Sequence, residues 1–256
     1  MKTVLITGST RGIGLGIARQ FAKTRRYNIV FNGLDADGRE IALEVSQEFG
    51  ISTMFDGADM QRPVELQNMI DKATARFGHI DVLVNNAGIQ HVSPIEDFST
   101  DMWQKVLDIN LTAAFHLTKA VWRGMKERKF GRIINIASAH GLAASEYKSA
   151  YIASKHGLVG FTKVLALEGA PFNITVNAIC PGYVKTPLVD NQITDLAAAH
   201  ALSEEEAVND LILKKHAVKE FVPIELLGQL AVLMASEEAT TFTGVALPVD
   251  GGWTAQ

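Results

Sequence analysis

The chain has 256 residues and balances 24 Lys and Arg against 28 Asp and Glu, a formal net charge of −4, which is the wrong sign for a nucleic-acid binder that works by counterion release. With 47% apolar and 20% charged residues, disordered, collagen-like and coiled-coil chains are excluded. The lone Cys180 cannot form an internal disulfide, and no apolar run nears the roughly 20 residues that span a bilayer, so the expectation is a globular protein of the cytoplasm with no membrane and no nucleic-acid partner.

Short apolar, β-branched runs then alternate with segments of helical period along the whole chain. A strand at Thr3–Thr7 runs into a Gly-rich turn and a helix at Ile13–Lys23. Next come a strand at Asn28–Phe31, a helix at Arg39–Phe49, a strand at Ser52–Gly57 and a helix at Pro63–Phe77. Val82–Asn85 is a strand, Met102–Arg128 one long helix, and Arg132–Ala137 a strand. A helix at Ala150–Glu168 leads to a strand at Thr175–Ile179; a helix at Ile224–Ala235 and a strand at Val245–Val249 close the pattern. Strands of this kind, apolar without strict alternation, belong to a parallel sheet covered on both faces. The expected fold is α/β: a single, doubly wound parallel-sheet domain over residues 1–256. Pro187–Phe221 breaks the rhythm as a helical insertion, within which Ser203 and Glu206 have capping-box spacing.

The turn after the first strand reads Thr7-Gly8-Ser9-Thr10-Arg11-Gly12-Ile13-Gly14. Gly8 permits the tight turn, Gly12 lets amides approach a pyrophosphate, and Gly14 allows close packing of a helix whose N-terminus favours an anion. The end of the second strand, Asn32-Gly33-Leu34, is where a dinucleotide's ribose 2′ position is read. There Asp35 suits a ribose diol and Arg11 a 2′-phosphate; with no basic residue directly after the strand, NAD is favoured over NADP. Asp59, beside Met60, either accepts from the adenine amino group or closes an Asx-turn.

Tyr151 and Lys155 share a helix face at i,i+4. An ammonium fixed near a phenol stabilises the phenolate and brings it toward a pKa at which it exchanges protons with an alcohol. Ser138 ends the fifth strand, at the carboxyl edge where open α/β sheets bind ligands. Asn110 sits inside a helix, a position disfavoured for Asn unless its side chain bonds to something specific.

With TGSTRGIG (Thr7–Gly14), NNAG (Asn85–Gly88), Asn110, Ser138, YIASK (Tyr151–Lys155) and PG (Pro181–Gly182) in place, the chain resembles the short-chain dehydrogenase/reductase family over essentially all 256 residues. The resemblance implies a Rossmann domain with a mobile helical substrate lid at about 187–221, and hydride transfer with Tyr151 as general acid/base. It also implies that Lys155 lowers the pKa of Tyr151 and binds the nicotinamide ribose, that Ser138 steadies the reacting oxygen, and that Asn110 holds a water in a proton relay. Asn86, Ala87, Gly88, Pro181, Gly182, Val184 and Thr186 fall on cofactor-binding positions, the last two against the carboxamide. A homotetramer is implied as well; a metal is not.

Gln90, His91, His140, Lys148 and Gln192 cluster in sequence beside these motifs. They are mostly donors, as a small substrate's carboxylate needs. The stretches NNAGIQH, NIASAHGL, KSAY and TPLVDNQI are similar to family members that interconvert short 3-hydroxy and 3-keto acids with NAD. The resemblance places the carboxylate on Gln90, His140, Lys148 and Gln192. Those members usually carry Trp after Pro-Gly; Tyr183 here bears on chain length. Two rival readings are an NADPH-dependent carbonyl or 3-ketoacyl thioester reductase, separable by cofactor and substrate rates, and a catalytically silent dinucleotide-binding regulator, which would need no Ser138, Tyr151 and Lys155.

Overall fold

Each short apolar run becomes a strand whose alternate side chains point to opposite faces of one sheet. The computed structural model describes residues 1–255, with the side chains at 187, 188, 191, 192, 195, 196 and 199 outside the described set. The strands are β1 (Lys2–Ile6), β2 (Tyr27–Asn32), β3 (Thr53–Asp56), β4 (Val82–Asn85), β5 (Gly131–Ile136), β6 (Ile174–Pro181) and β7 (Ala246–Val249). They lie in the order β3-β2-β1-β4-β5-β6-β7, all parallel, with Val4 paired to Ile29 on one side and Val82 on the other. The expected doubly wound Rossmann sheet is what the chain forms, and every predicted strand lies within two residues of an observed one.

From β1 alone, Val4 and Ile6 enter one core while Leu5 enters the other. The first core is closed by α1 (Gly12–Thr24), α2 (Gly38–Phe49) and α9 (Ile224–Met234), through Ile17, Phe21, Val45 and Leu227. The second is closed by α3 (Pro63–Phe77), α5 (Ala113–Arg128) and α6 (Ser149–Gly169), through Leu66, Met69, Leu117 and Leu165. The chain builds outward from β1 to β3 and then returns to place β4 on the other side of β1. The crevice between the carboxyl ends of β1 and β4 is therefore the switch point at which such sheets take ligands.

Two departures from the predicted elements matter for the site. The single helix expected at Met102–Arg128 is α4 (Thr100–Leu107) and α5, joined by a π turn at Asp108–Thr112 in which the Ala113 N–H bonds to the Asp108 carbonyl. The extra residue in this turn carries Asn110, and such bulges recur at functional sites. The insertion comprises α7 (Pro187–His200), the one-turn α8 (Glu204–Glu206) and a further π turn at Ala207–Ile212. The Ser203–Glu206 capping box is formed.

A buried polar chain fastens α6 to the sheet. Asn85 Nδ2 donates to Asn135 Oδ1, Asn135 Nδ2 donates to Thr162 Oγ1, and Thr162 Oγ1 donates to the Leu158 carbonyl, each at 2.8 Å. Removing the middle of a buried chain leaves two desolvated groups unpaired. Asn135→Ala is expected to lower the unfolding free energy by about 2–4 kcal/mol, measured as a shift of the urea midpoint at constant m-value.

Candidate active site

Three segments meet over the carboxyl ends of β1 and β4. In the Gly-rich turn, Gly8 and Gly12 take left-handed φ values of 59° and 55°. A Cβ on Gly14 would lie 2.2 Å from the Gly8 carbonyl oxygen, so only glycine lets the helix start here. Arg11, the N-cap of α1, gives no side-chain hydrogen bond to the helix, and the first turn holds no acidic residue. The first amides of α1, around Ile13, are thus left for an anion.

The turn is held by its neighbours. Asn32, expected on the cofactor, turns inward: its Oδ1 accepts from Gly8 N, and its Nδ2 donates to the carbonyls of Asp56 and Ala58. Asn86 likewise donates to the carbonyls of Thr7 and Gly8, while the Thr7 hydroxyl accepts from the amides of Asn86 and Ala87. Met60 is buried in the second core rather than turned to the crevice, because Leu66 and Met69 pack there. The Asp59 carboxylate closes an Asx-turn on Gln61 N, the structural alternative for that residue. Gly33 packs on Thr10, and Leu34 stands exposed at the lip.

Asp35 lies beside the Gly-rich turn at the lip of the crevice. It forms a two-point pair with Arg11, Oδ1 with Nη2 at 2.5 Å and Oδ2 with Nε at 3.0 Å, and also accepts from the Thr10 hydroxyl. The guanidinium that a 2′-phosphate would need is therefore occupied by a carboxylate.

Tyr151 and Lys155, on α6, come together with Ser138 as their spacing suggests. Ser138 Oγ accepts from His140 N at 3.1 Å, and Ser138 and Tyr151 line the same cavity, with Ser138 lowering the pKa of the phenol. Burial raises the phenol above its ordinary value, with the neighbouring Ser138 hydroxyl working in the opposite direction. Lys155 stands one turn further along α6. Its buried ammonium donates to the Ile136 carbonyl at 2.8 Å and lies 5.6 Å from the centroid of the Tyr151 ring. Burial depresses Lys155 itself to about 8. Asn110 stands at the π turn. Its Oδ1 accepts from Ile89 N, and its Nδ2 donates to the Ile89 carbonyl and to Ser154 Oγ, so its amide braces the Gly88–Gln90 loop against α6.

The residues fit a dinucleotide at the crevice. The first turn of α1 is uncapped toward the ligand side, and a Cβ on Gly88 would sit 3.6 Å from Lys155 Nζ, so glycine keeps the approach to that ammonium open. Two of its three donors remain after Ile136 is served.

Beside Tyr151 lies a cavity of about 130 Å³ walled by Ile13, Gln90, Ser138, His140, Lys148, Gly182, Tyr183, Val184, Thr186, Val189 and Trp253. Lys148 Nζ lies 3.4 Å from the Tyr183 hydroxyl. Burial, reinforced by Lys148, Lys215 and His156, holds His140 down at about 3, so its ring is neutral. The ring of Tyr183 stacks on Trp253 with centroids 6.2 Å apart and planes 5° from parallel. Pro181 ends β6, where Gly182 N donates to the Val249 carbonyl. His91 does not line the cavity but packs edge-on against Phe98. The Gln192 side chain lies outside the described residues. Trp253 and His216, which accepts from Tyr183 N, were not singled out from sequence; the one available signal was the aromatic residue after Asp250-Gly251-Gly252.

Comparison with known proteins agrees with this geometry. A family profile described as "short chain dehydrogenase" matches residues 2–197. The chain belongs to the short-chain dehydrogenase family. Among its relatives, a D-beta-hydroxybutyrate dehydrogenase of Rhizobium meliloti is 47% identical over 258 residues, covering 100% of this chain and 99% of the relative. A D-beta-hydroxybutyrate dehydrogenase of Cupriavidus necator is 49% identical over 256 residues, covering 100% and 98%. A solved structure of an actinorhodin polyketide ketoreductase variant with NADPH superimposes with a TM-score of 0.93 at 34% identity, covering 100% of this chain and 98% of that one. Among the described residues, no helix is long and apolar enough to cross a membrane, and no group of three or more His, Cys, Asp and Glu could hold a metal ion.

The neutral His140 gives a pH test. Between about 6.5 and 3 the unfolded chain takes up a proton at this residue that the folded chain refuses, so stability rises with pH across that window and is lost as pH falls. His140→Asn is expected to flatten this dependence by up to about 1.4 kcal/mol per pH unit, seen as a smaller shift in urea midpoint between pH 7 and pH 5.

Proposed function

We propose that this chain is an NAD-dependent dehydrogenase that interconverts a short 3-hydroxy acid, (R)-3-hydroxybutyrate, and its 3-keto acid, acetoacetate, in the cytoplasm. One observation carries it: a Tyr151–Ser138 hydroxyl pair opens onto a small cavity that also holds Lys148, His140 and Gln90, beside a crevice suited to a dinucleotide. The two D-beta-hydroxybutyrate dehydrogenases similar over full length support the substrate.

In the oxidative direction Tyr151 Oη takes the hydroxyl proton of the substrate, and in the reductive direction it returns it. Ser138, its own oxygen occupied by His140 N, donates its proton and favours the phenolate. Lys155 adds positive charge from behind and offers its remaining N–H groups to ribose hydroxyls. Lys148 holds the substrate carboxylate, with Gln90, Gln192 and the neutral His140 as partners. Bound at the crevice, nicotinamide supplies the hydride acceptor. Gly8, Thr10, Gly12, Ile13, Gly14, Asn86, Ala87, Gly88, Pro181, Val184 and Thr186 form the walls around it. The segment from α7 to Phe221 acts as the lid that excludes water, and Val189 of α7 already lines the cavity. The working form is a homotetramer, for which Phe115, Val164 and Leu167, exposed on α5 and α6, supply apolar contact.

The Arg11–Asp35 pair favours NAD, because a 2′-phosphate would have to displace a carboxylate and then face it. Asp35→Ser should improve kcat/KM for NADP relative to NAD by about tenfold or more, the worth of one charge-assisted bond. An unchanged ratio would remove Asp35 as the selector. Rates with both enantiomers of 3-hydroxybutyrate and with both cofactors test the main reading. The expected result is turnover of the (R) acid with NAD, lowered about 10²–10⁴-fold in Tyr151→Phe with NAD binding retained. Turnover confined to NADPH and thioester substrates would favour the reductase instead.

A further inference from the structure

Behind the His140 wall of the cavity runs a chain of polar contacts that the chemistry above does not use. Lys215, in the segment after the Ala207–Ile212 turn, reaches back across the fold to the loop following Ser138. Its Nζ donates at 3.1 Å to the Ala144 carbonyl and at 3.1 Å to Ser145 Oγ, and it lies 5.3 Å from the centroid of the Trp253 ring. Ser145 Oγ is in turn 3.0 Å from His140 Nε2. The His140 ring meets Trp253 edge-on at 4.8 Å and 89°, which fixes its plane.

The direction of each bond follows from what each group can do. An ammonium only donates, so Ser145 Oγ accepts from Lys215. A hydroxyl has one proton, and among the described partners of Ser145 the acceptor within reach is His140 Nε2. A hydroxyl that accepts from a cation is also polarised into a better donor. Nε2 therefore accepts, and the single proton of the neutral ring resides on Nδ1. The opposite tautomer would carry a lone pair at Nδ1, which repels a carboxylate; this one carries an N–H there for a carboxylate that reaches the free side of the ring.

We propose that Lys215 and Ser145 are positioning residues: the chain Lys215 Nζ to Ser145 Oγ to His140 Nε2 fixes His140 as the Nδ1–H tautomer, so that the cavity selects a carboxylate over an uncharged ester of the same size. The inference rests on the reading of this cavity as the carboxylate site of a hydroxy-acid dehydrogenase. Neither residue touches the reacting atoms. Their effect is on recognition, through the face that His140 shows.

Two measurements on the full-length protein test it. Long-range proton–nitrogen correlation spectra of ¹⁵N-histidine-labelled protein, with His140 assigned by the signal missing from His140→Asn, should show the Nδ1–H pattern in the wild type and gain the Nε2–H pattern in Ser145→Ala and Lys215→Met. In kinetics, both variants should raise KM for (R)-3-hydroxybutyrate about tenfold, the scale of one hydrogen bond to a charged group, with kcat within about twofold. KM for methyl (R)-3-hydroxybutyrate should hardly change. The double variant should be no worse than either single one, since both break the same chain, and Ser145→Thr, which keeps the hydroxyl, should retain the wild-type preference for acid over ester. An Nε2–H pattern in the wild type, or variants that keep its acid-to-ester ratio, overturns the proposal. A wild type that shows the Nδ1–H pattern yet turns over no 3-hydroxy acid sinks the hydroxy-acid reading and leaves the hydrogen-bond chain standing.

Discussion

A buried ammonium sets the terms for the rest of this molecule. Lys155 is removed from water at the carboxyl end of β5, and its one described hydrogen bond goes to the Ile136 carbonyl. Burying such a charge is costly unless good partners surround it. The fold supplies them by driving α6 against the sheet with the Asn135–Thr162 bond below and the Asn110–Ser154 bond beside it. The same helix then has no choice about where Tyr151 stands, one turn earlier and next to Ser138. A residual cost is visible in the depression of Lys155 to about 8, and an electron-rich ligand approaching past Gly88 would relieve it.

Seen this way, the asparagines are braces. Asn32 and Asn86 hold the Gly-rich turn from two sides, Asn110 holds the loop after β4, and Asn135 holds α6. Each amide gives both a donor and an acceptor in one rigid plane, so a single side chain can tie a backbone N–H and a backbone C=O at once. The charged groups, in contrast, gather at the crevice and its cavity: Lys155 behind the phenol, Lys148 at the cavity and Asp35 on Arg11.

The sequence made the frame readable because strands and helices leave a local period, and β1 to β7 are short apolar runs between clear turns. The π turn at Asp108–Thr112 left no such trace, since a one-residue bulge does not disturb the spacing of apolar positions enough to be seen. The phosphate-binding turn and the Tyr151–Lys155 pair were legible because their spacing is itself the device. Other parts were not. Arg11 and Asp35 were both noticed, but nothing local says that they neutralise each other. Asn32 and Met60 occupy the expected places yet direct their side chains into the fold, a matter of rotamer and neighbour rather than of position. Trp253 reaches the cavity, and His216 and Lys215 reach residues that wall it, from far along the chain, and no period links them to it.

That distance has a consequence for how the protein comes into being. The cavity draws one wall from Ile13, others from Ser138 and Tyr151, and its last from Trp253, beyond the final strand of the sheet. While the polypeptide is still emerging from the ribosome, the phosphate-binding turn and the phenol can already be in place, but the aromatic wall against His140 and Tyr183 is missing until β7 docks beside β6. Parallel pairings of such long span form late and slowly. A half-made chain thus lacks a closed cavity beside Tyr151, and that enclosure is the last property this fold acquires.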